Sequence, residues 1–411
     1  MCPPSDQHPI KAAAQALAGG DVLNALKHVA LRDDPPALAL RGIAMAQLGD
    51  FQRAKSLLKS AERAFGPKAE VARARCVVAQ AEIALVSRDL NWPVHALDTA
   101  WQTLERHGDT TNAAHARNLA ARRLLLIGRV NEASELLAGF SPALLPPASR
   151  AAYELTLAGI AIRRLEIDEA RAAFDRAADS ARQANIAALS IEVETAARVL
   201  QIPTARAIDG GHERLMLLED VQTLLASNAL VIDACRNVVQ GGRTTIQLAT
   251  RPVLFALIRC LGEASPRDVP RETLLLRAFR ARHTDESHRA RLRVEIGRVR
   301  TALRHVAQVH ATDRGFVLVP HDAQQVIVLA PIADERNAAV LTLLGDGEAW
   351  SSSALAIALN ASPRTVQRAL EQLATAGKAQ YFGAGRARRW MAASVPGFPT
   401  TLLLPGLLAG D

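Results

Sequence analysis

Aromatic residues are scarce in this chain: Phe, Trp and Tyr make up 4% of its 411 residues. Alanine, leucine and arginine dominate instead, which favours helix over strand. Cysteine is rarer still. Cys2, Cys76, Cys235 and Cys260 form no CxxC pair and no ligand-like spacing with histidine. They read as unpaired thiols in a reducing cytosol, with Cys235 and Cys260 expected to be buried. Long hydrophobic runs are missing too, since none reaches the roughly 18 residues that a membrane span needs. The first ten residues are polar and proline-rich, unlike a signal peptide. The tail PGFPTTLLLPGLLAGD is apolar but broken by Pro396, Pro399 and Pro405, and packing on the protein's own core or in a dimer would bury it. No GxSxG, HExxH, Walker or dinucleotide-binding fingerprint is present, which argues against catalysis and for no metal and no cofactor. In HTDESH, His283 and His288 flank two acids, but nothing completes a metal site, and a solvated turn is the expected reading.

What is present is positive charge, unevenly placed. The net charge is +8. Residues 1–200 hold 24 Lys+Arg against 22 Asp+Glu, residues 251–315 hold 14 Arg against 7 acids, and residues 362–391 hold six basic residues and one acid. The excess therefore falls in two short C-terminal segments, the footprint expected of nucleic-acid binding.

The N-terminal half repeats itself. ALAGGDVLNAL, AQLGDFQRAKSLL, VSRDLNWPVHAL, LLIGRVNEASELL and RRLEIDEARAAF each end one helix, turn, and start another toward an alanine. Those alanines are Ala25, Ala54, Ala96, Ala133 and Ala170, at steps of 29, 42, 37 and 37 residues. This is the period of helical hairpins that bury an apolar face only by stacking on the next copy. Small residues such as Gly42, Ala46, Ala54 and Ala133 allow close helix contact. The turn phrases LGDFQRA and IGRVNEA resemble those of a tetratricopeptide solenoid, although its aromatic and proline signature positions are mostly missing. The resemblance implies a TPR-like domain over 1–200 that presents a concave face to a protein, peptide or small-ligand partner.

Residues 201–227 read as a linker, broken by Pro203, Gly210 and Gly211, leading into the short helix LMLLEDVQTLL. From residue 228 the pattern changes. ALVID, NVVQ and TTIQL read as strands, with Gly241-Gly242 as a turn. Three helices follow: one capped by Thr250 with Pro252 in its first turn, then PRETLLLRAF, then the arginine-rich stretch 287–306. VHATDRGFVLVP closes the set as a hairpin bending at Arg314-Gly315.

In this order the segments resemble the winged-helix DNA-binding domain of the OmpR/PhoB response-regulator type. LATRPVLFALIRCL, VPRETLLLRAF, IGRVRTAL and RGFVL carry the likeness. The domain is placed at 228–330. Phe316 stands where the family has tyrosine, the hairpin lacks the family's first glycine, and no receiver domain is visible, so no phosphorylation is implied. At about 100° per residue, Leu292, Ile296, Val299 and Leu303 share one narrow helix face. Arg289, Arg293, Arg300 and Arg304 form a row on one flank, and Arg291 and Arg298 a row on the other. Between them lie Ala290, Val294, Gly297 and Thr301. A small floor between arginine rows suits a helix entering a major groove; the alternative is an ordinary amphipathic helix that pairs with another protein's acids. Arg314 is expected to contact DNA from the hairpin.

Residues 331–393 resemble a second winged helix of the kind found in small bacterial regulators, with ALAIALNASPRTVQRAL as the two-helix core and KAQYFGAGRARRWMA as the wing. Arg364, Thr365, Gln367 and Arg368 would project toward bases, and Arg386, Arg388 and Arg389 toward phosphates. The alternative is a module for packing or dimerisation. GAGRAR lacks the spacing of a phosphate-binding loop. The fold expected is thus mainly α: a TPR-like α-solenoid, two winged-helix (α+β) domains and an apolar tail at 394–411. The function expected is a cytoplasmic, nucleoid-associated transcription regulator that binds double-stranded DNA and is not an enzyme. A protein scaffold or a non-specific nucleic-acid-binding accessory factor is the rival, and a homodimer is left open.

Overall fold

The structure, a computed structural model, describes residues 7–87, 89–90, 92–139, 142, 145–279, 286–321, 325–332, 337–344, 349–359, 361–375, 378–385 and 388–392. The described residues are mainly helical, with 64% helix and 14% strand. No helix among the described residues is long and apolar enough to cross a membrane. The chain divides into two compact units: residues 1–164, 168–198 and 336–411 form one, and residues 165–167 and 199–335 the other.

Among the described residues, the first unit begins with eleven helices: α1 (Gln7–Ala18), α2 (Val22–Val29), α3 (Pro35–Gln47), α4 (Phe51–Ala64), α5 (Glu70–Val86), α6 (Val94–Arg106), α7 (Thr110–Leu126), α8 (Val130–Leu137), α9 (Pro147–Arg164), α10 (Ile167–Ala184) and α11 (Ala187–Ala197). The recurring Gly-Asp phrase has a physical reason. Gly20, Gly49 and Gly108 take φ of +78°, +84° and +74° to end a helix, and the next residue caps the following one. Asp21, Asp50 and Asp109 accept from the backbone N–H of Asn24, Arg53 and Asn112 at 3.1, 3.0 and 3.3 Å. Helices α4, α6 and α8 are amphipathic and bury one side, whereas α5 and α7 are buried on two. Ile83 of α5 joins a cluster with α1–α4, while Val78 and Leu85 join one with α6 and α7. Likewise Leu119 of α7 faces α5 and α6, while Leu125 faces α8 and α9. Each cluster thus shares a long helix with the next. Gly42 lets α3 approach α4 closely, since a Cβ there would lie 2.9 Å from Leu58 Cγ. Of the five phrase alanines, Ala25, Ala54, Ala133 and Ala170 are buried, but Ala96 is half-exposed and Leu97 takes its place in the core.

The second unit keeps the short helix expected within 201–227 but corrects the reading of the rest of that segment as a linker. Residues there form β1 (Ala205–Asp209) and β2 (His212–Met216), then α12 (Leu218–Ala226). Gly210 and Gly211, read as breakers, are the turn of a β1–β2 hairpin, at φ +56° and +94°. After β3 (Leu230–Asp233), β4 (Val238–Gly241) and β5 (Thr244–Gln247) come α13 (Pro252–Ala264), β6 (Val269–Pro270), α14 (Arg271–Phe279), α15 (Glu286–Leu303), β7 (Ala307–Ala311), β8 (Gly315–Pro320) and β9 (Val326–Ala330). One six-stranded sheet has the order β2-β1-β9-β3-β4-β5, with β9 parallel to β3, and a second sheet has β6-β8-β7. The core between them gathers Ile232 and Val328 of the first sheet, Leu257 and Leu261 of α13, Leu274 of α14, Ile296 and Val299 of α15, and Leu318 of β8. Arg251, not Thr250, is the N-cap of α13, and it makes no side-chain cap bond; Pro252 follows at the first helical position. Pro270 belongs to β6 and not to the helix after it. Cys260 is buried as expected, but Cys235 is exposed, because it lies in the β3–β4 turn where the Asp233 carboxylate accepts the backbone N–H of Cys235 and Arg236 at 2.8 and 3.0 Å.

The remaining elements, α16 (Ala338–Leu344), α17 (Ser352–Ala358), α18 (Pro363–Thr375), β10 (Ala379–Phe382) and β11 (Arg389–Ala392), belong to the first unit. Ser351 Oγ accepts from Ala354 N and Ser362 Oγ from Thr365 N, each at 3.1 Å, which starts α17 and α18. Trp350 and Trp390 exchange both backbone hydrogen bonds at 2.7 Å, and both rings are fully buried. The same cluster includes Leu90, with Leu126 and Ile127 packed against it, so this C-terminal module shares a core with the helical array. The tail at 394–411 lies outside the described residues, as do His283, Thr284 and Asp285 of HTDESH.

Candidate nucleic-acid interface

Helix α15 is the centre of the site. Leu292, Ile296, Val299 and Leu303 are buried, the last two fully, and they fix which side of the helix faces out. That leaves Ala290, Val294, Gly297 and Thr301 exposed as a shallow floor; Val294 is 56% exposed, and a Cβ at Gly297 would meet nothing. All six arginines of the stretch are exposed. The arrangement offers close approach along the floor and guanidinium groups beside it.

Local bonds differentiate those arginines. The guanidinium of Arg291 lies over the Phe279 ring at 4.7 Å, which holds it toward α14. Arg298 Nη1 donates to Glu295 Oε1 at 2.8 Å, and Glu295 is buried against the unit. Arg300 Nε donates to the Val309 carbonyl of β7 at 2.8 Å, and Arg304 Nε to His305 Nε2 at 2.8 Å. A guanidinium held through Nε keeps its Nη donors for a second partner, so these contacts orient Arg300 and Arg304 without consuming them. Arg289 and Arg293 are exposed at the N-terminal part of the same helix and have contacts of their own.

Two features escaped the sequence. Arg251, at the start of α13, lines one shallow depression with Val294, Gly297, Arg298, Thr301 and Arg304. It is a further cation at the floor of α15, contributed by a different helix, and its position follows from the fold alone. The second feature is the clamp on the β7–β8 hairpin. Arg271 Nη1 donates to the Asp313 carbonyl at 2.8 Å and Nη2 to the Thr312 carbonyl at 3.0 Å, with its guanidinium 5.5 Å from the Phe316 ring centroid. Thr312 Oγ1 donates to Asp268 at 2.7 Å. Gly315 must be glycine, since a Cβ would lie 1.8 Å from the Val269 carbonyl oxygen. The exposed Arg314 is thereby displayed at a rigid turn.

In the C-terminal module, Arg364, Thr365 and Arg368 are exposed at the start of α18, while Gln367 is half-buried and donates to Glu371 Oε1 at 3.0 Å. Arg388 is turned inward, over Tyr381 at 4.6 Å and Trp390 at 6.0 Å, so it is less available to phosphate than expected. Arg389 is half-buried and donates to the Arg388 carbonyl at 3.2 Å. Arg386 lies outside the described residues. The structure therefore groups the arginines of α15 with Arg251 and Arg314 in one unit and places the α18 residues in the other. Among the described residues, no group of acidic, histidine and cysteine side chains could hold a metal ion. No protein-family model, curated protein or solved structure matches this chain.

Proposed function

We propose that the protein is a sequence-specific regulator of transcription that binds double-stranded DNA through its second unit, acting as a winged helix. Helix α15 enters the major groove, Arg251 and the α15 arginines contact phosphates and guanine edges, and Arg314 reaches the backbone from the hairpin. The N-terminal array is TPR-like and senses or docks a partner. The observation that carries this reading is the exposed floor of Ala290, Val294, Gly297 and Thr301 flanked by guanidinium groups from two helices. A solvated surface helix has no need of small residues along the middle of its outer face.

For the C-terminal module, the inward-turned Arg388 and the core shared with Leu90, Leu126 and Ile127 favour a packing role, with Arg364, Thr365 and Arg368 as an auxiliary DNA contact. Selection from random duplex DNA tests the reading. Enrichment of one motif, as a palindrome or direct repeat, is expected; retention without any motif supports a non-specific accessory factor, and no retention at physiological salt supports a protein scaffold.

A further inference from the structure

A cavity of about 360 Å³ opens among α5, α7, α9, α10 and α11 of the array. Its walls are apolar, from Leu85, Leu125, Leu155, Ile162 and Phe174, and it also holds two guanidinium groups, those of Arg122 and Arg163. Neither arginine forms an ion pair with a described carboxylate. Two carboxylates line the cavity as well, but Glu82 is bound by His115 Nε2 at 2.9 Å and Glu192 has a partner of its own.

Arg163 is unusual in its setting. Its side chain is open to solvent, yet the surrounding protein desolvates it enough to lower its pKa from the ordinary arginine value. This cation lies on a concave wall and is exposed, so an anion can reach it there. The guanidinium is held in place by its own helix, since Nη1 donates to the Gly159 carbonyl at 3.2 Å.

Gly159 adds a second, independent sign. It lies in the middle of α9, where glycine costs about 1 kcal/mol relative to alanine. No steric conflict demands it: a Cβ would stand at ordinary contact distance, 3.4 Å from Leu125 Cδ1 and 3.7 Å from Arg163 Nη1. What its bare backbone does is keep this wall open beside the guanidinium.

We infer that this cavity binds a small organic acid with an apolar body, its carboxylate paired with Arg163 and Arg122 and its chain laid against Leu125, Leu155 and Phe174. The volume falls in the range of roughly 300–1,000 Å³ usual for small-molecule sites, and a guanidinium matches a carboxylate in charge and geometry. The site gives the sensor role of the array a ligand class. It rests on that role, yet binding is measured without DNA, so a failed titration leaves DNA recognition untouched.

The test is calorimetric titration of the full chain with octanoate, alongside octanamide, acetate and a hexapeptide ending in leucine. Octanoate should bind saturably, and octanamide and acetate at least tenfold more weakly. Arg163→Gln and Gly159→Leu should each lose tenfold or more of octanoate affinity while keeping the wild-type circular dichroism spectrum, with Arg122→Gln as the second charge variant should either misfold. No saturable octanoate binding, equal binding of octanamide, undiminished binding by the folded variants, or binding of the peptide alone would overturn the inference.

Discussion

Glu295 is the one acid between Arg289 and Val306, and it is buried with its carboxylate accepting from Arg298 Nη1 at 2.8 Å. It therefore withholds part of one positive charge from the exposed face of α15. Replacing Glu295 with glutamine keeps the shape and removes the negative charge. Glu295→Gln is expected to raise duplex affinity about two- to five-fold at low salt and to steepen the salt dependence by up to about one unit. A fluorescence-anisotropy titration at several salt concentrations checks this; an unchanged affinity and slope would mean that Arg298 does not reach DNA.

The hairpin after α15 depends on one position. Gly315→Ala would drive a methyl group into the Val269 carbonyl, now 1.8 Å from the Cβ site, and break the β6–β8 pairing. A loss of stability on the order of 2–4 kcal/mol is expected in urea unfolding. Arg271→Ala releases the Asp313 and Thr312 carbonyls instead, and should weaken DNA binding more than it weakens the fold.

Trp350 and Trp390 meet across the centre of the C-terminal module, both fully buried. Trp390→Ala should cost about 3–5 kcal/mol and melt α16–β11 as a group, read by loss of buried tryptophan emission. Because Leu90 belongs to the same cluster, faster amide exchange near Leu90 is expected as well. Unchanged exchange there would contradict the shared core.

Burial, aided by nearby Glu62, pushes the Cys76 thiol up to about 12 from an ordinary 9.0. The folded protein then holds this proton after the unfolded chain has released it. Stability from this group is complete below pH 9 and falls as pH rises from 9 toward 12, by up to about 1.4 kcal/mol per unit. Urea unfolding at pH 8 and pH 10, with Cys76→Ala as reference, should show the steeper decline in wild type; parallel declines would contradict it.

Much of this is readable from residue pattern. The stripe Leu292, Ile296, Val299, Leu303 is buried because its spacing leaves no other face apolar enough, and the Gly-Asp phrases cap helices because each glycine reaches positive φ and each aspartate accepts a backbone N–H. The β1–β2 hairpin is not readable. Its second strand, HERLM, is exposed at every residue but Met216, as an edge strand that gives no alternating signal. Arg251 escapes a reading by pattern because only the packing of α13 brings it beside α15. The inward turn of Arg388 is equally hidden, because its partners, Tyr381 and Trp390, become neighbours only when β10 pairs with β11.

The central claim is that the outer face of α15 meets DNA. The direct measurement is a salt-titrated mobility shift, on a selected duplex, of wild type and a variant with Arg289, Arg293, Arg298 and Arg300 all changed to alanine. With circular dichroism unchanged, the variant should bind at least 100-fold more weakly, with the log–log salt slope shallower by about two to four units, near 0.9 for each phosphate that is no longer neutralised. A variant that folds and binds with wild-type affinity and slope would contradict the account.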